Sequence, residues 1–230
     1  MTTIVRSALL GLIIFAWTIQ CSFAGGTYAA MPYKDIRDLF EPTMKIDQSK
    51  LEVRVYFSST NKAVSPSEIR LEIHSATKGI IPVLLDTNGQ LITFPIEKEL
   101  LGENPPVVAN QPAGTVKYSI TRQMPLADQL TFRYRRLGDC VNELNKAIKT
   151  QIGTIGSLFV PRADTVEFIF PKSSAGKAKV EIAAAAGKKE FTADEYGVVA
   201  FKLEQPLLAE NPEVKVSEKP DHIVPELPRR

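Results

Sequence analysis

Apolar side chains along this chain fall mostly on alternate positions in short runs, the pattern of half-buried β-strands. Leu51, Val53, Val55 and Phe57 share one face, and Glu52, Arg54 and Tyr56 the other. Ile69, Leu71 and Ile73 alternate with Arg70 and Glu72. The apolar run from Ile80 to Leu85 enters Asp86-Thr87-Asn88-Gly89, a turn whose Asn-Gly tolerates positive φ, and Leu91 to Ile96 forms the next strand. Further strands are predicted at Val107-Val108, Val116–Ile120, Leu130–Tyr134, Val166–Phe170, Lys179–Ile182, Val198–Leu203 and Val214–Val216. Two stretches carry helical spacing instead. Tyr33, Ile36, Leu39 and Phe40 predict a helix over Met31–Pro42, closed by Pro42. Val141, Leu144, Ala147 and Ile148 predict a second, capped by Asp139, running to Thr150 and broken by Gly153 and Gly156. Single helical turns are expected at Glu97–Leu101 and Pro206–Glu210.

The pattern occurs twice. Ile69–Ile73 matches Ala178–Ile182, and both copies then reach Asp-x-x-Gly, at Asp86 and Gly89 and at Asp194 and Gly197. Phe94 corresponds to Phe201. Leu100, Leu101, Glu103, Asn104 and Pro105 return as Leu207, Leu208, Glu210, Asn211 and Pro212. Five identities in a six-residue block, with the flanking spacings kept, make this an internal duplication. The correspondence extends upstream, with Leu51–Phe57 over Thr165–Phe170, Glu52 over Glu167, and extra residues in the second copy around Asp139–Thr150. The four leucines are expected to plug the open end of a sheet, and the glutamates to reach nearby backbone donors. Asn104 and Asn211, each before a proline, are expected to be extended. The predicted fold class is mainly β: two related antiparallel β-sandwich-like repeats with two short covering helices. The expected domains are a leader at 1–24, repeats at 31–125 and 126–220, and an extended tail at 221–230.

The repeated strand, Asp-x-x-Gly turn and strand ending in Phe94-Pro95 or Phe201-Lys202 is similar to transthyretin-like, carboxypeptidase-regulatory-like modules. The whole chain also resembles secreted bacterial proteins with tandem repeats of that kind and no assigned chemistry. That resemblance rests on the leader, the Met31-Pro32-Tyr33 helix, the two Leu-Leu-x-Glu-Asn-Pro blocks and the proline-rich end. It implies an extracytoplasmic location and a β-sandwich fold.

The first residues support that location. Arg6 is the only charge before Lys34, the run from Ala8 to Trp17 is apolar, and Ser22-Phe23-Ala24 suits signal peptidase. The apolar run is shorter than the roughly twenty residues a spanning helix needs, so no transmembrane segment is expected after cleavage near Ala24. Cleavage would remove Cys21 and the single Trp, leaving Cys140 as the one cysteine. Cys140 is expected to be a buried apolar side chain. The formal net charge of +2 gives no field for nucleic-acid binding.

No motif of catalytic strength stands out. Ser59-Thr60-Asn61-Lys62 and Ser174-Ala175-Gly176-Lys177 fit Ser-x-x-Lys, a nucleophile and base one helical turn apart, but both lie in polar loops. Asp86-Thr87-Asn88-Gly89 begins like a calcium loop without the later carboxylates. His74, His222 and one cysteine do not make a zinc set, so no metal and no cofactor is expected. Arg133, Arg135 and Arg136 beside Tyr134 form the densest basic cluster, a candidate binding site or a charged strand edge. The expected function is an exported, periplasmic or secreted, non-enzymatic binding or scaffold protein whose partner is another envelope protein. The alternatives are a carbohydrate-binding module or an envelope hydrolase with Ser59 or Ser174 as nucleophile.

Overall fold

The computed structural model describes residues 19–20, 28–125, 129–157 and 160–227. The leader, apart from residues 19–20, lies outside them. The chain divides into two compact units, Met1–Lys45 with Val53–Thr121, and Ile46–Glu52 with Arg122–Arg230. The chain passes from the first unit to the second between Thr121 and Arg122. The transfer of Ile46–Glu52 to the second unit has no sequence signal that we can identify.

In the first unit the elements are β1 (Ile19–Gln20), β2 (Tyr28–Pro32), α1 (Tyr33–Met44), β3 (Glu52–Ser59), a 3-10 turn at Pro66–Glu68, β4 (Leu71–Ser75), β5 (Gly79–Leu85), β6 (Leu91–Thr93), α2 (Lys98–Glu103), β7 (Pro106–Pro112) and β8 (Val116–Gln123). In the second they are β9 (Thr131–Arg133), α3 (Arg135–Ser157), β10 (Thr165–Ile169), a 3-10 turn at Lys172–Ser174, β11 (Lys179–Ala184), β12 (Gly187–Thr192), β13 (Val198–Lys202), α4 (Gln205–Glu210), β14 (Glu213–Val216) and β15 (His222–Glu226). From β2 and β9 onward the two orders are the same.

The sheets repeat as well. One sheet of the first unit runs β2-β7-β4-β5-β6, and its counterpart runs β9-β14-β11-β12. The other sheet is β1-β8-β3 in the first unit and β15-β10-β13 in the second. All the resolved registers are antiparallel. Each unit is therefore a mainly β, antiparallel sandwich, with a core taken from the alternating inward positions. Val55, Phe57, Leu71, Ile73 and Val107 fill the first core, and Phe168, Phe170, Val180, Ile182 and Val214 are their buried counterparts in the second unit.

Several boundaries differ from expectation for local reasons. α1 continues past Pro42 to Met44. α3 starts at Arg135 rather than Asp139, because its first turn is capped from outside by Asn211, and it runs through Gly153 and Gly156. β12 is a strand, for which no element was expected; its solvent face, Lys188, Glu190 and Thr192, is polar. The expected tail at 221–230 instead contributes β15, which pairs with all of β10 and buries Ile223 and Leu227. Phe57 and Phe170 make the same bond, to Gly89 and to Gly197. That register sets Arg54, not Glu52, opposite Glu167. Counted from Tyr33 and Tyr134, the extra residues of the second copy lengthen the helix: α3 has 23 residues and α1 has 12.

Candidate functional site

The duplicated residues form the same three structural joints in each unit. In the first, the Asp86 carboxylate accepts the N–H groups of Asn88 and Gln90, both at 2.8 Å, and Asp194 does the same for Tyr196 and Val198 at 2.9 and 2.8 Å. Gly89 and Gly197 follow with φ of 78° and 81°. In both turns the two backbone N–H groups converge on a single carboxylate oxygen, Oδ1, which fixes the turn. Among the described residues no group of three or more His, Cys, Asp or Glu could hold a metal ion.

The second joint is the Glu-Asn-Pro corner. Glu103 accepts from the Ala76 N–H at 2.5 Å, the Ser75 hydroxyl at 2.7 Å and the Thr77 hydroxyl at 2.9 Å. These donors, the Ser75 hydroxyl foremost, hold its carboxyl below the usual range. Glu210 accepts from Ala185 N–H in the same way. Asn104 and Asn211 are left-handed, with φ of 49° and 56°, where extended backbone was expected before proline. Asparagine tolerates this conformation, which ends the short helix, and its side chain then accepts an N–H from the first turn of α1 or α3, that of Lys34 or Arg135, at 2.9 Å in both units. Of the four leucines only Leu100 and Leu207 are buried; Leu101 is 37% exposed. Neighbouring residues on a helix point about 100° apart, and in these short helices only the first leucine of each pair is turned into the core.

The third joint was not recognised from the sequence. Tyr33 and Tyr134, at the junction of the first strand and the long helix, are fully buried. Their N–H groups donate to the carbonyls of Pro105 and Pro212, both at 2.9 Å. Tyr-basic-x-aliphatic, at Tyr33-Lys34-Asp35-Ile36 and Tyr134-Arg135-Arg136-Leu137, was the available signal.

This placement takes Tyr134 out of the basic cluster. Tyr134 is inaccessible, Arg133 lies on the edge strand β9, Arg135 and Arg136 belong to α3, and the Arg136 guanidinium donates to the Pro125 carbonyl at 2.6 Å. Tyr134 therefore cannot share a surface with the three arginines. The serines are also engaged. Ser174, buried, donates to the Glu218 carboxylate at 2.7 Å, and Ser59 accepts from the Asn61 N–H at 3.1 Å. Cys140 is buried on α3, and desolvation pushes its thiol up to about 12. His74 sits near Glu72 at 3.4 Å, and His222 near Gln123 at 2.5 Å.

The units differ in chemistry on the outer face of the β4–β5 hairpin and its counterpart. On β12, Lys188, Glu190 and Thr192 face outward, and Lys188 bridges Glu181 at 2.8 Å and Glu190 at 3.2 Å while Lys179 meets Glu190 at 2.6 Å. On β5 the same positions are Ile80, Pro82 and Leu84. Ile80 is 64% exposed, Leu84 57%, and Ile92 on adjacent β6 42%. The backbone is shared; a charged ladder in one copy is an uncovered apolar strip in the other.

A cavity of about 20 Å³ opens in the first unit between β2, β7 and β8, walled by Ala29, Met31, Ile36, Phe57, Val107 and Tyr118 among others. It can hold one water, whereas a small-molecule pocket needs roughly 300 Å³ or more. Among the described residues no helix is long and apolar enough to cross a membrane. Comparison with family models, with curated proteins and with solved structures found no match.

Proposed function

We propose that this is an exported, non-enzymatic binding protein, freed of its leader near Ala24, that holds another envelope protein on the outer face of β5 and β6. One observation carries the proposal: Ile80, Pro82, Leu84 and Ile92 stand exposed where the second copy has Lys188, Glu190, Thr192 and Ala200. Single exposed apolar residues are ordinary, but a contiguous strip on a sheet face is the usual mark of a protein contact. Burying one such side chain contributes about 1.5–3 kcal/mol, so three or four of them suffice for a specific complex once association costs are met. The duplicated residues serve turns, caps and cores, which leaves recognition to positions where the copies diverge.

The test transplants the second copy's surface into the first. A photo-crosslinking residue at position 84 should yield an adduct with one defined partner in intact cells, and the same residue at position 192 should not. Ile80→Lys with Leu84→Thr should abolish the adduct while leaving the melting temperature within a few degrees. Equal adducts from both positions, or an adduct indifferent to the double change, would remove the basis of the proposal.

A further inference from the structure

The outer edge of β8 is closed by β1. In its sheet β8 lies between β3 and β1, and Ile19 and Gln20 pair antiparallel with Tyr118 and Lys117. The second unit closes the equivalent edge with its own segment. β15 is an edge strand of its sheet, and residues 122–124, the end of β8 and the residue after it, lie beside it. Met124 N–H donates to the Ile223 carbonyl at 2.7 Å, and the Arg122 guanidinium reaches the Pro225 carbonyl at 3.4 Å and the Glu226 carboxylate at 3.1 Å. The Met124 side chain is 1% exposed. In each unit, then, the segment just ahead of the first strand seals the edge of the last. The copies differ in what processing does to that segment. Residues 122–124 are internal to the chain, whereas Ile19–Gln20 lie upstream of the expected cut near Ala24.

We infer that the processed first unit is an open strand acceptor. The edge of β8, beside the cavity walled by Ala29, Met31, Ile36, Phe57 and Tyr118, takes an extended antiparallel segment of another protein that carries an apolar residue. Two features define this occupant. β1 shows the edge accepting a strand, and Met124 shows that the closing segment of this fold buries a large apolar side chain. Strand addition satisfies the backbone donors and acceptors that cleavage exposes, and the apolar residue supplies selectivity. The inference rests on the export part of the proposed function and not on the β5 face.

The probe is the leader itself. The full chain is exported and purified, and its mass fixes the cut. A peptide of residues 16–22 carrying Cys21→Ser is then titrated into it. The chain's single Trp lies in that segment, so the processed protein has no indole and Trp emission reports the peptide alone. A saturable blue shift is expected, weakened at least about tenfold by Ile19→Asp in the peptide, which puts a charge in place of an apolar residue in the strand that pairs with β8. A photo-crosslinker on the peptide should map to residues 116–118. The Ile80→Lys, Leu84→Thr protein should bind the peptide unchanged, which separates this site from the β5 face. Absence of saturation at millimolar peptide overturns the inference, as do crosslinks at 222–226 or an Ile19→Asp peptide that binds equally well. A mass that retains the leader overturns it too, because the edge is then permanently filled. A stable dimer that the peptide cannot dissociate assigns the edge to a second copy and overturns it equally.

Discussion

The phenol oxygen of Tyr134 accepts a hydrogen bond from the backbone N–H of Glu204 at 3.1 Å. Glu204 is the residue that precedes α4, so this bond ties the root of the long helix to the start of the short one. Tyr33 repeats it, accepting from Glu97 N–H at 3.2 Å and donating to the Pro95 carbonyl at 2.7 Å. Tyr33→Phe keeps the ring but leaves both backbone groups without this partner in a buried corner. The expected cost is about 1–3 kcal/mol, read as a lower midpoint in urea. A loss confined to one unit should appear as an earlier first transition. An unchanged curve would show that water replaces the hydroxyl.

The asparagines act through conformation and side chain together. Asn104→Gly keeps the left-handed backbone accessible and removes only the cap on Lys34 N–H. Asn104→Ala loses both. The alanine variant should fall about 2 kcal/mol below wild type and the glycine variant about half as far. The same order is expected at Asn211, whose side chain caps α3 through Arg135. Equal losses for alanine and glycine would assign all of the effect to the cap.

The turn glycines differ in tightness although their φ values agree. A Cβ on Gly197 would lie 2.9 Å from the Phe170 carbonyl oxygen, and one on Gly89 would overlap the Phe57 carbonyl oxygen. Gly114 has φ of 77° and nothing near a Cβ. Alanine at position 114 should therefore cost about 1 kcal/mol, the left-handed penalty alone. Alanine at 197 should cost more, and at 89 on the order of 3 kcal/mol or more. Chemical denaturation of the three variants gives the ranking.

How far the sequence reached is clearest at these joints. Asp86, Gly89, Glu103 and Asn104 were readable as structural because each returned as the same residue in the second copy. The two sandwiches followed from period-two alternation, which a sheet with one solvated face imposes on its strands. What was missed lacked that alternation. β12 is polar on its outer face and holds few apolar residues, and β15 carries Pro225 in a stretch that reads as a tail. The buried role of Tyr134 was hidden because arginines flank it, and burial depends on partners distant in sequence, here Glu204 and Pro212. The apolar strip on β5 was equally hidden, since Ile80 to Leu85 reads as one buried run until the register shows which side chains alternate outward.

Acid should weaken the protein through specific carboxylates. The Ser49 hydroxyl and the Lys50 ammonium hold Asp47 down to about 2, and Ser75 with Ala76 N–H hold Glu103 below its ordinary value. Glu143, which accepts the Asp47 N–H at 3.1 Å, is lowered as well. A depressed carboxyl contributes stability above its unfolded pKa, and that contribution fades as the pH falls through the folded value. The melting temperature should thus decline from about pH 4.5 toward pH 2. Glu103→Gln should lower it at pH 7, and the gap to wild type should narrow as the pH falls through the depressed folded value of Glu103, below which both side chains are neutral. A gap independent of pH would assign the loss to packing.

Cys140 gives the last prediction. It sits within α3, and burial raises its thiol to about 12 despite the Arg136 guanidinium, which acts in the opposite direction. At pH 8 the thiolate fraction is then on the order of one in ten thousand, and the sulfur is also out of reach of reagent. The folded protein should resist iodoacetamide at pH 8 for hours, with full labelling in denaturant. Because reaction requires opening of the second unit, the labelling rate in sub-denaturing urea should track that unit's stability and not the first unit's. Asn211→Ala should accelerate it, while Asn104→Ala should leave it unchanged. Rapid labelling of the native protein, or equal acceleration by both variants, would contradict a thiol sealed in the second unit alone.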